Sequence, residues 1–428
     1  MYIKNVSIKN FKSIEQAEIK FTPLTIIVGP NASGKSNLIS VFRFIEDIIR
    51  YGIDNAIMLQ GGIQYISCAN IAKGENVEIE FALDLSTEQW KRVLRDRKFA
   101  LHIQEITYKF IIKPNQRGMG YKINYDYLKI KYGCCSLSDG NRGKRYKNLN
   151  ILYITVFERD NYNTDIKPVS DIIPKDNEYV NDLNEQLIND IFTDYFVEMA
   201  NEIKSELMLF RLPLLLSPAF SVNTFIRTFD FDPKELKKAS QIASTNILNE
   251  NGSNIAFILK KILKNKEQEK KFRVLVNRFL PFVNSISIEN NPDKSMSYKI
   301  EEKYNNKEFY SNFLSDGTVS IFALIIALYF EDQSNIIILE EPERNIHPKL
   351  LLSLLSAVND VSKEKQVVIT THNPELLRHA QINDILFTKR DEKGRTIVNK
   401  PANNKNVIRF IEQDLGLDDL FLQNLLGE

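Results

Sequence analysis

The stretch Leu24-Thr25-Ile26-Ile27-Val28-Gly29-Pro30-Asn31-Ala32-Ser33-Gly34-Lys35-Ser36 decides the architecture of this 428-residue chain. Its first five residues are apolar or β-branched with no polar alternation, the pattern of a strand buried on both faces. The next eight, Gly29 to Ser36, fit G-x-x-x-x-G-K-[ST]. Beyond them Leu38, Val41, Phe42, Ile45, Ile48 and Ile49 recur at helical spacing. Strand, glycine loop and amphipathic helix in that order make a phosphate cradle. The glycines let backbone N–H groups converge on phosphate oxygens, and the helix presents the positive end of its dipole. Gly29, Pro30, Asn31, Ala32, Ser33, Gly34, Lys35, Ser36 and Asn37 are therefore the expected nucleotide contacts. Lys35 reaches the β- and γ-phosphates, and Ser36 offers its hydroxyl to Mg²⁺. The implied ligands are ATP and Mg²⁺.

Working outward, Tyr2–Ile8 and Glu18–Phe21 read as strands around a bend at Asn10–Ser13. The far end of the chain shows an apolar helix (Val319–Phe330), a strand (Asn335–Leu339), a helix (Pro348–Val361), a strand (Gln366–Thr370) and a short helix from Pro374. Strands alternating with helices imply a parallel sheet with right-handed crossovers, here built from both ends of the chain. The middle changes character. Val77–Leu83, Ile106–Ile112, Tyr121–Tyr132 and Ile151–Val156 are strand-like, Arg159–Asn184 is polar and acidic, and Gln186–Met208 and Ile255–Phe282 have helical patterns. The expectation is an insertion with its own small sheet and a helical lobe, giving spans 1–84, 85–300 and 301–428.

Three further motifs carry chemistry. The apolar run Ile336–Leu339 ends in Glu340 and Glu341. Ligands of open α/β sheets bind at the carboxyl ends of the strands, so these carboxylates are expected to face the loop. Glu340 would hold Mg²⁺ and its waters, and Glu341 would orient or deprotonate the attacking water. Val367–Thr371 is a buried strand that delivers His372 to the same edge, where an imidazole can hydrogen-bond the γ-phosphate. Leu314-Ser315-Asp316-Gly317-Thr318 precedes a helix, and Ser315 with the Gly317 amide forms a second anion site. One chain has no evident use for it, so its expected ligand is the γ-phosphate held by a second copy. A similar run, Leu137–Gly140, is followed by Asn-Arg-Gly-Lys-Arg and reads as a hairpin turn. Lys35, Glu341 and His372 are thus the expected catalytic residues.

The order Gly29–Ser36, Leu314–Thr318, Ile336–Glu341, His372 resembles that of the ABC/SMC-type ATPases. Ile8–Ser13, Glu340–Glu343 with His347-Pro348, and Thr371–Pro374 are similar to the RecF-like and overcoming-lysogenization-defect-like AAA ATPases. A weaker likeness extends through Arg43-Phe44, Gly61-Gly62 and Phe229–Leu236. The resemblance implies an α/β ABC-type ATPase head, a P-loop sheet plus an antiparallel β subdomain, with an inserted mixed α+β and helical lobe. It implies that Arg344–His347 form the loop that meets the partner head, and that Lys12 and Ser13, within Lys9–Ser13, line the base and ribose. Glu340 stands where many relatives carry Asp. Gln60 and Gln64 are the candidates for the glutamine of the Q-loop. Relatives of the second kind append a Toprim nuclease, for which the residues after Leu377 are too few, so any nuclease is expected on a separate chain. A homodimeric ATP-driven switch serving anti-phage defence with a separate effector is the favoured function. A DNA repair or DNA-structure binding ATPase is the alternative.

Bulk properties exclude little and favour nothing against this reading. Lys plus Arg (56) balance Asp plus Glu (55), so net charge gives no general attraction to nucleic acid or membrane. Local clusters at Lys234, Lys237, Lys238 and across Lys260–Arg273 are the candidate DNA contacts, interleaved with Glu267 and Glu269. Cys68, Cys134 and Cys135 fit neither a disulfide framework nor a zinc spacing. The most apolar stretch, Val319–Phe330, is too short to span a bilayer, and a cytoplasmic protein is expected.

Overall fold

The computed structural model describes residues 1–68, 75–86, 92–93, 99–115, 120–140, 143–160, 169–173, 206–207, 226–241, 247–304, 307–331 and 334–427. The chain divides into two compact units, each assembled from separated segments.

One unit comprises residues 22–43, 224–390 and 398–428. Its parallel strands lie in the order Ile226–Phe229, Ile336–Glu340, Gln366–Thr371, Leu24–Val28, Ile385–Arg390. Leu24–Val28 and Gln366–Thr371 are buried at every residue, as an uninterrupted apolar run requires when both faces are covered. The N-terminal strand therefore sits between strands from the other end of the sequence, pairing Thr371 with Val28. The helix Asp316–Tyr329 is buried at every position from Thr318 to Leu328. A helix that is apolar all round belongs inside the core, and Phe322 packs there edge-on to Tyr298. A three-stranded antiparallel sheet, Val283–Asn290, Met296–Glu302 and Glu308–Tyr310, completes this unit. The helical pattern across Ile255–Phe282 is two helices, Ile255–Lys264 and Lys266–Phe279. Asn265 divides them because its side chain caps the second, accepting from the Glu267 and Gln268 amides at 3.0 and 3.2 Å.

The other unit comprises residues 1–21, 44–223 and 391–397. Its antiparallel sheet runs Ile14–Lys20, Tyr2–Phe11, Val77–Asp84, Phe99–Pro114, Tyr121–Gly140, Gly143–Asp160, Val169–Ile173. The middle of the chain was expected to form its own small sheet. Its strands instead extend the N-terminal hairpin, because Val77–Asp84 pairs with Tyr2–Phe11 on one side and with Phe99–Pro114 on the other. That pairing removes an open edge whose unpaired backbone groups invite other chains. Positive φ at Asn10 and Lys12 makes the predicted bend, and the Leu137–Gly140 run ends a strand at a hairpin that pairs Gly140 with Gly143. Of the polar stretch Arg159–Asn184, only Arg159, Asp160 and Val169–Ile173 are among the described residues, and the helical pattern Gln186–Met208 lies almost wholly outside them. Among the described residues, no helix is long and apolar enough to cross a membrane.

Candidate nucleotide site

The loop after Leu24–Val28 belongs to the parallel-sheet unit, and the helix Lys35–Tyr51 begins directly after it. Gly34 takes φ 105° and Ala32 takes φ 60°, so the loop curls through left-handed conformations. Pro30, Asn31, Ala32 and Ser36 are exposed on its crest, Asn37 is half-buried, and Gly29, Ser33, Gly34 and Lys35 are buried. A Cβ on Gly29 would collide with the carbonyl and hydroxyl oxygens of Thr388 and stand 2.7 Å from Ser33 Oγ. Ser33 Oγ and Thr388 Oγ1 are 2.8 Å apart, and Arg390 Nε donates to the Ala32 carbonyl at 2.8 Å. The neighbouring strand thus braces the loop from behind. Gly29→Ala is expected to cost about 1–3 kcal/mol through overpacking. A thermal melt checks this, and an unchanged Tm would show that Thr388 has room to yield.

Lys35 Nζ donates to the carbonyls of Gly29 and Pro30 at 2.9 and 3.1 Å. Burial pulls this ammonium below the usual lysine pKa, against the raising fields of Glu341, Glu343 and Glu340. Its charge is held inside the loop by oxygen atoms that a triphosphate can replace.

Glu340 closes the strand Ile336–Glu340. Ser36 Oγ donates to its Oε1, and Arg43 Nη2 donates to its Oε2 at 3.0 Å. A hydroxyl and a carboxylate converging in this way are hard oxygen donors of the kind Mg²⁺ takes. Among the described residues no group of three or more His, Cys, Asp or Glu is arranged to hold a metal. Mg²⁺ needs only one or two protein oxygens when phosphate and water fill its remaining positions, so the pair fits that ion.

Glu341 follows with φ 44°, a conformation that costs a non-glycine residue energy and recurs at functional sites. Its amide donates to both the carbonyl and the hydroxyl of Thr370, each at 3.1 Å, which fixes it to the adjacent strand. His372 Nδ1 lies 2.8 Å from Glu341 Oε1, and Arg344 Nη2 donates to Oε2 at 3.2 Å. Burial alone would raise this carboxyl, but the hydrogen bonds from His372 and Arg344 prevail and hold it below the usual glutamate value. Its charge therefore adds stability that is present above pH 4.5, the ordinary value, and is lost as pH falls through the lower folded value. Glu343 is buried, accepts from Thr371 Oγ1 at 2.5 Å, and is pushed up by that burial.

The structure thus gathers Lys35, Ser36, Glu340, Glu341 and His372 in one unit. Ser315 and Gly317 are there too, and each has a use within its own chain. Ser315 Oγ caps the helix Asp316–Tyr329 by accepting from the Thr318 amide at 3.1 Å. Gly317 makes room for the Asn345 carbonyl, which a Cβ would meet at 2.6 Å. The premise that one chain has no use for these residues is therefore corrected. Lys12 and Ser13 belong to the other unit, where the Lys12 amide donates to Ile66 O at 2.7 Å and Ser13 Oγ meets Thr396 Oγ1 at 2.7 Å. Gln60 and Gln64 also lie in that unit. Thr388, Arg390 and Glu250 carry no local motif, and only the folded sheet reveals them; Asp230 lies in Phe229–Leu236, but its place beside Glu340 appears only in the fold.

Residues 24–378 match the family described as "AAA domain, putative AbiEii toxin, Type IV TA system". Among curated relatives, the uncharacterized protein MJECL43 of Methanocaldococcus jannaschii is 29% identical over 31% of this chain and 38% of its own length. The Septu protein PtuA of Bacillus thuringiensis is 24% identical over 36% of this chain and 43% of its own. The DNA replication and repair protein RecF of Lactobacillus johnsonii is 27% identical over 25% and 30%. The chain thus spans less than half the length of these relatives. Of solved structures, an SmcHead bound to the C-winged helix domain of ScpA aligns over 93% of this chain and 98% of that one, at 12% identity and a TM-score of 0.49. The family match runs from the strand before the loop past His372 and Pro374, over most of the chain, and includes Gly29–Ser36, Leu314–Thr318, Ile336–Glu341 and His372. The chain belongs to this AAA family.

Proposed function

We propose that this protein binds and hydrolyses ATP as a head-to-head homodimer. One observation carries the reading: the Lys35–Ser36 loop end, Glu340, Glu341 and His372 meet at the carboxyl ends of adjacent parallel strands. Lys35 exchanges the Gly29 and Pro30 carbonyls for phosphate oxygens, and the first-turn amides of its helix join it. Ser36 and Glu340 would hold Mg²⁺. When bound, that ion neutralises charge on the β- and γ-phosphate oxygens. Glu341 accepts the proton of the attacking water, and His372, on the opposite side of its carboxylate from Arg344, orients that water against the γ-phosphate. Ser315 of a second copy supplies a donor to the same phosphate. Its oxygen accepts from the Thr318 amide and lies 2.7 Å from Thr318 Oγ1, so the hydroxyl proton turns to a ligand when Thr318 is the donor of that second bond.

Lys35→Ala tests the binding step. Loss of a charge-assisted contact of about 1.5–3 kcal/mol weakens nucleotide affinity roughly 10- to 100-fold. Titration with a fluorescent ATP analogue reads it, and unchanged affinity would remove Lys35 from the site.

For the biological role, the reading is a cytoplasmic ATP-driven switch of an anti-phage defence system that acts through a separate effector protein. The family description, which names a toxin and a type IV TA system, supports it. Plaque assays with and without the adjacent gene test it. Protection that persists without that gene would sink the effector model. Salt-dependent DNA binding lost on charge reversal of Lys260 and Lys264 would instead favour the repair alternative.

A further inference from the structure

Arg43-Phe44 and the segment beginning at Phe229 share a likeness to related ATPases, yet the chemistry above gives them no task. The structure assigns one. Arg43 stands seven residues beyond Ser36 on the same helix, two turns along the same face. Ile226–Phe229 is the parallel neighbour of Ile336–Glu340 and pairs Phe229 with Leu339, so Asp230 follows where Glu340 follows. The Asp230 amide donates to the Glu250 carbonyl at 3.1 Å, which brings a second carboxylate alongside.

One guanidinium serves all three acids. Arg43 Nη2 lies 3.0 Å from Glu340 Oε2 and 3.9 Å from Asp230 Oδ2, and Nε lies 2.5 Å from Glu250 Oε1, off the N–H axis. Asp230 Oδ1 also accepts from Arg344 Nη1 at 3.5 Å, and Arg344 in turn holds Glu341. Charges therefore alternate without a break from Glu340 through Arg43, Asp230 and Arg344 to Glu341. We propose that Arg43 and Asp230 are positioning residues of the ATPase site. Arg43 holds the Glu340 carboxylate against Ser36, and Asp230 ties Arg43 to Arg344 so that Glu340 and Glu341 are presented as one unit.

The need follows from the side chain at 340. Glutamate has one more torsion than aspartate, and a freely rotating carboxylate is a poor metal ligand until both oxygens are engaged. Ser36 engages one and Arg43 the other. Arginine suits the task because its planar fork meets several carboxylates at fixed angles, whereas a lysine ammonium is a point charge on a flexible stem.

This inference rests on the ATPase reading, and the test separates the two. Binding of mant-ATP to the full chain is titrated with Mg²⁺ and compared with binding in EDTA, beside steady-state turnover. Arg43→Ala is expected to raise the Mg²⁺ concentration at half-maximal effect about 10- to 100-fold, the usual result of removing the partner that orients a metal ligand. Affinity in EDTA stays unchanged. Arg43→Lys recovers part of the shift. Asp230→Asn lowers kcat about tenfold at unchanged KM, because orientation rather than ground-state binding is lost. A wild-type Mg²⁺ curve for Arg43→Ala overturns the role of Arg43, and a wild-type kcat for Asp230→Asn overturns that of Asp230. Should Arg43→Ala lack a cooperative melt, Arg43→Lys decides, and a curve superimposed on wild type is then the contrary result. A wild-type protein that binds no mant-ATP would instead refute the ATPase reading itself.

Discussion

Glu341→Gln is expected to lower turnover by about 10²–10⁴-fold, the range that a positioned general base contributes. The amide keeps the size of the carboxylate and can still meet Arg344 and His372 at one atom each, so the strand end stays folded. What disappears is the capacity to take a proton from water. Nucleotide affinity is expected to persist, because Lys35, Ser36 and the loop amides are untouched. The pH response gives a second readout. Glu341 titrates below its ordinary value of 4.5 in the folded chain, so the variant loses the part of acid sensitivity that arises when this group protonates. Steady-state assays and acid titration of stability check both, and a variant with wild-type turnover would remove Glu341 from the chemistry.

The second large effect is expected at Ser315. Its oxygen caps the helix Asp316–Tyr329, so replacement by alanine would confound loss of function with loss of a cap. Ser315→Asp avoids this, because aspartate caps as well as serine does. It also places negative charge where the γ-phosphate of a second copy would approach. Loss of one donor to a reacting oxyanion lowers rates by about 10²–10³-fold, and added repulsion takes the same direction. Nucleotide binding by the isolated chain is expected to stay within a factor of about two, since surface substitutions away from a site change little. Wild-type turnover for Ser315→Asp would show that Ser315 is a helix cap and nothing more.

The parallel sheet and its loop were legible because their demands are local. A strand buried on both faces needs an unbroken apolar run, and a phosphate loop needs glycine where Cβ would collide, as at Gly29 against Thr388. Glu340, Glu341 and His372 were legible for a related reason: each ends a readable strand, and parallel strands send their carboxyl ends to one edge. The contacts among the supporting residues were not legible. Arg43, Asp230, Glu250 and Glu340 are scattered from the first helix to the last third of the chain, and only strand register brings them together. Edge pairing was equally hidden, since nothing in Val77–Asp84 says that Tyr2–Phe11 is its neighbour. The break at Asn265 was readable in principle, as an asparagine two residues ahead of a glutamate in a lysine-rich run. Apolar periodicity on both sides masked it. Ser315 and Gly317 teach a different lesson, because each has a use within its own chain that the local motif does not announce.

The central claim is that ATP joins two of these chains, and sedimentation equilibrium of Glu341→Gln at saturating ATP and Mg²⁺ tests it most directly. A dimer that reverts to monomer without nucleotide, and that fails to form when Ser315→Asp is added, is the expected result. A species that remains monomeric at saturating ATP would contradict the shared site.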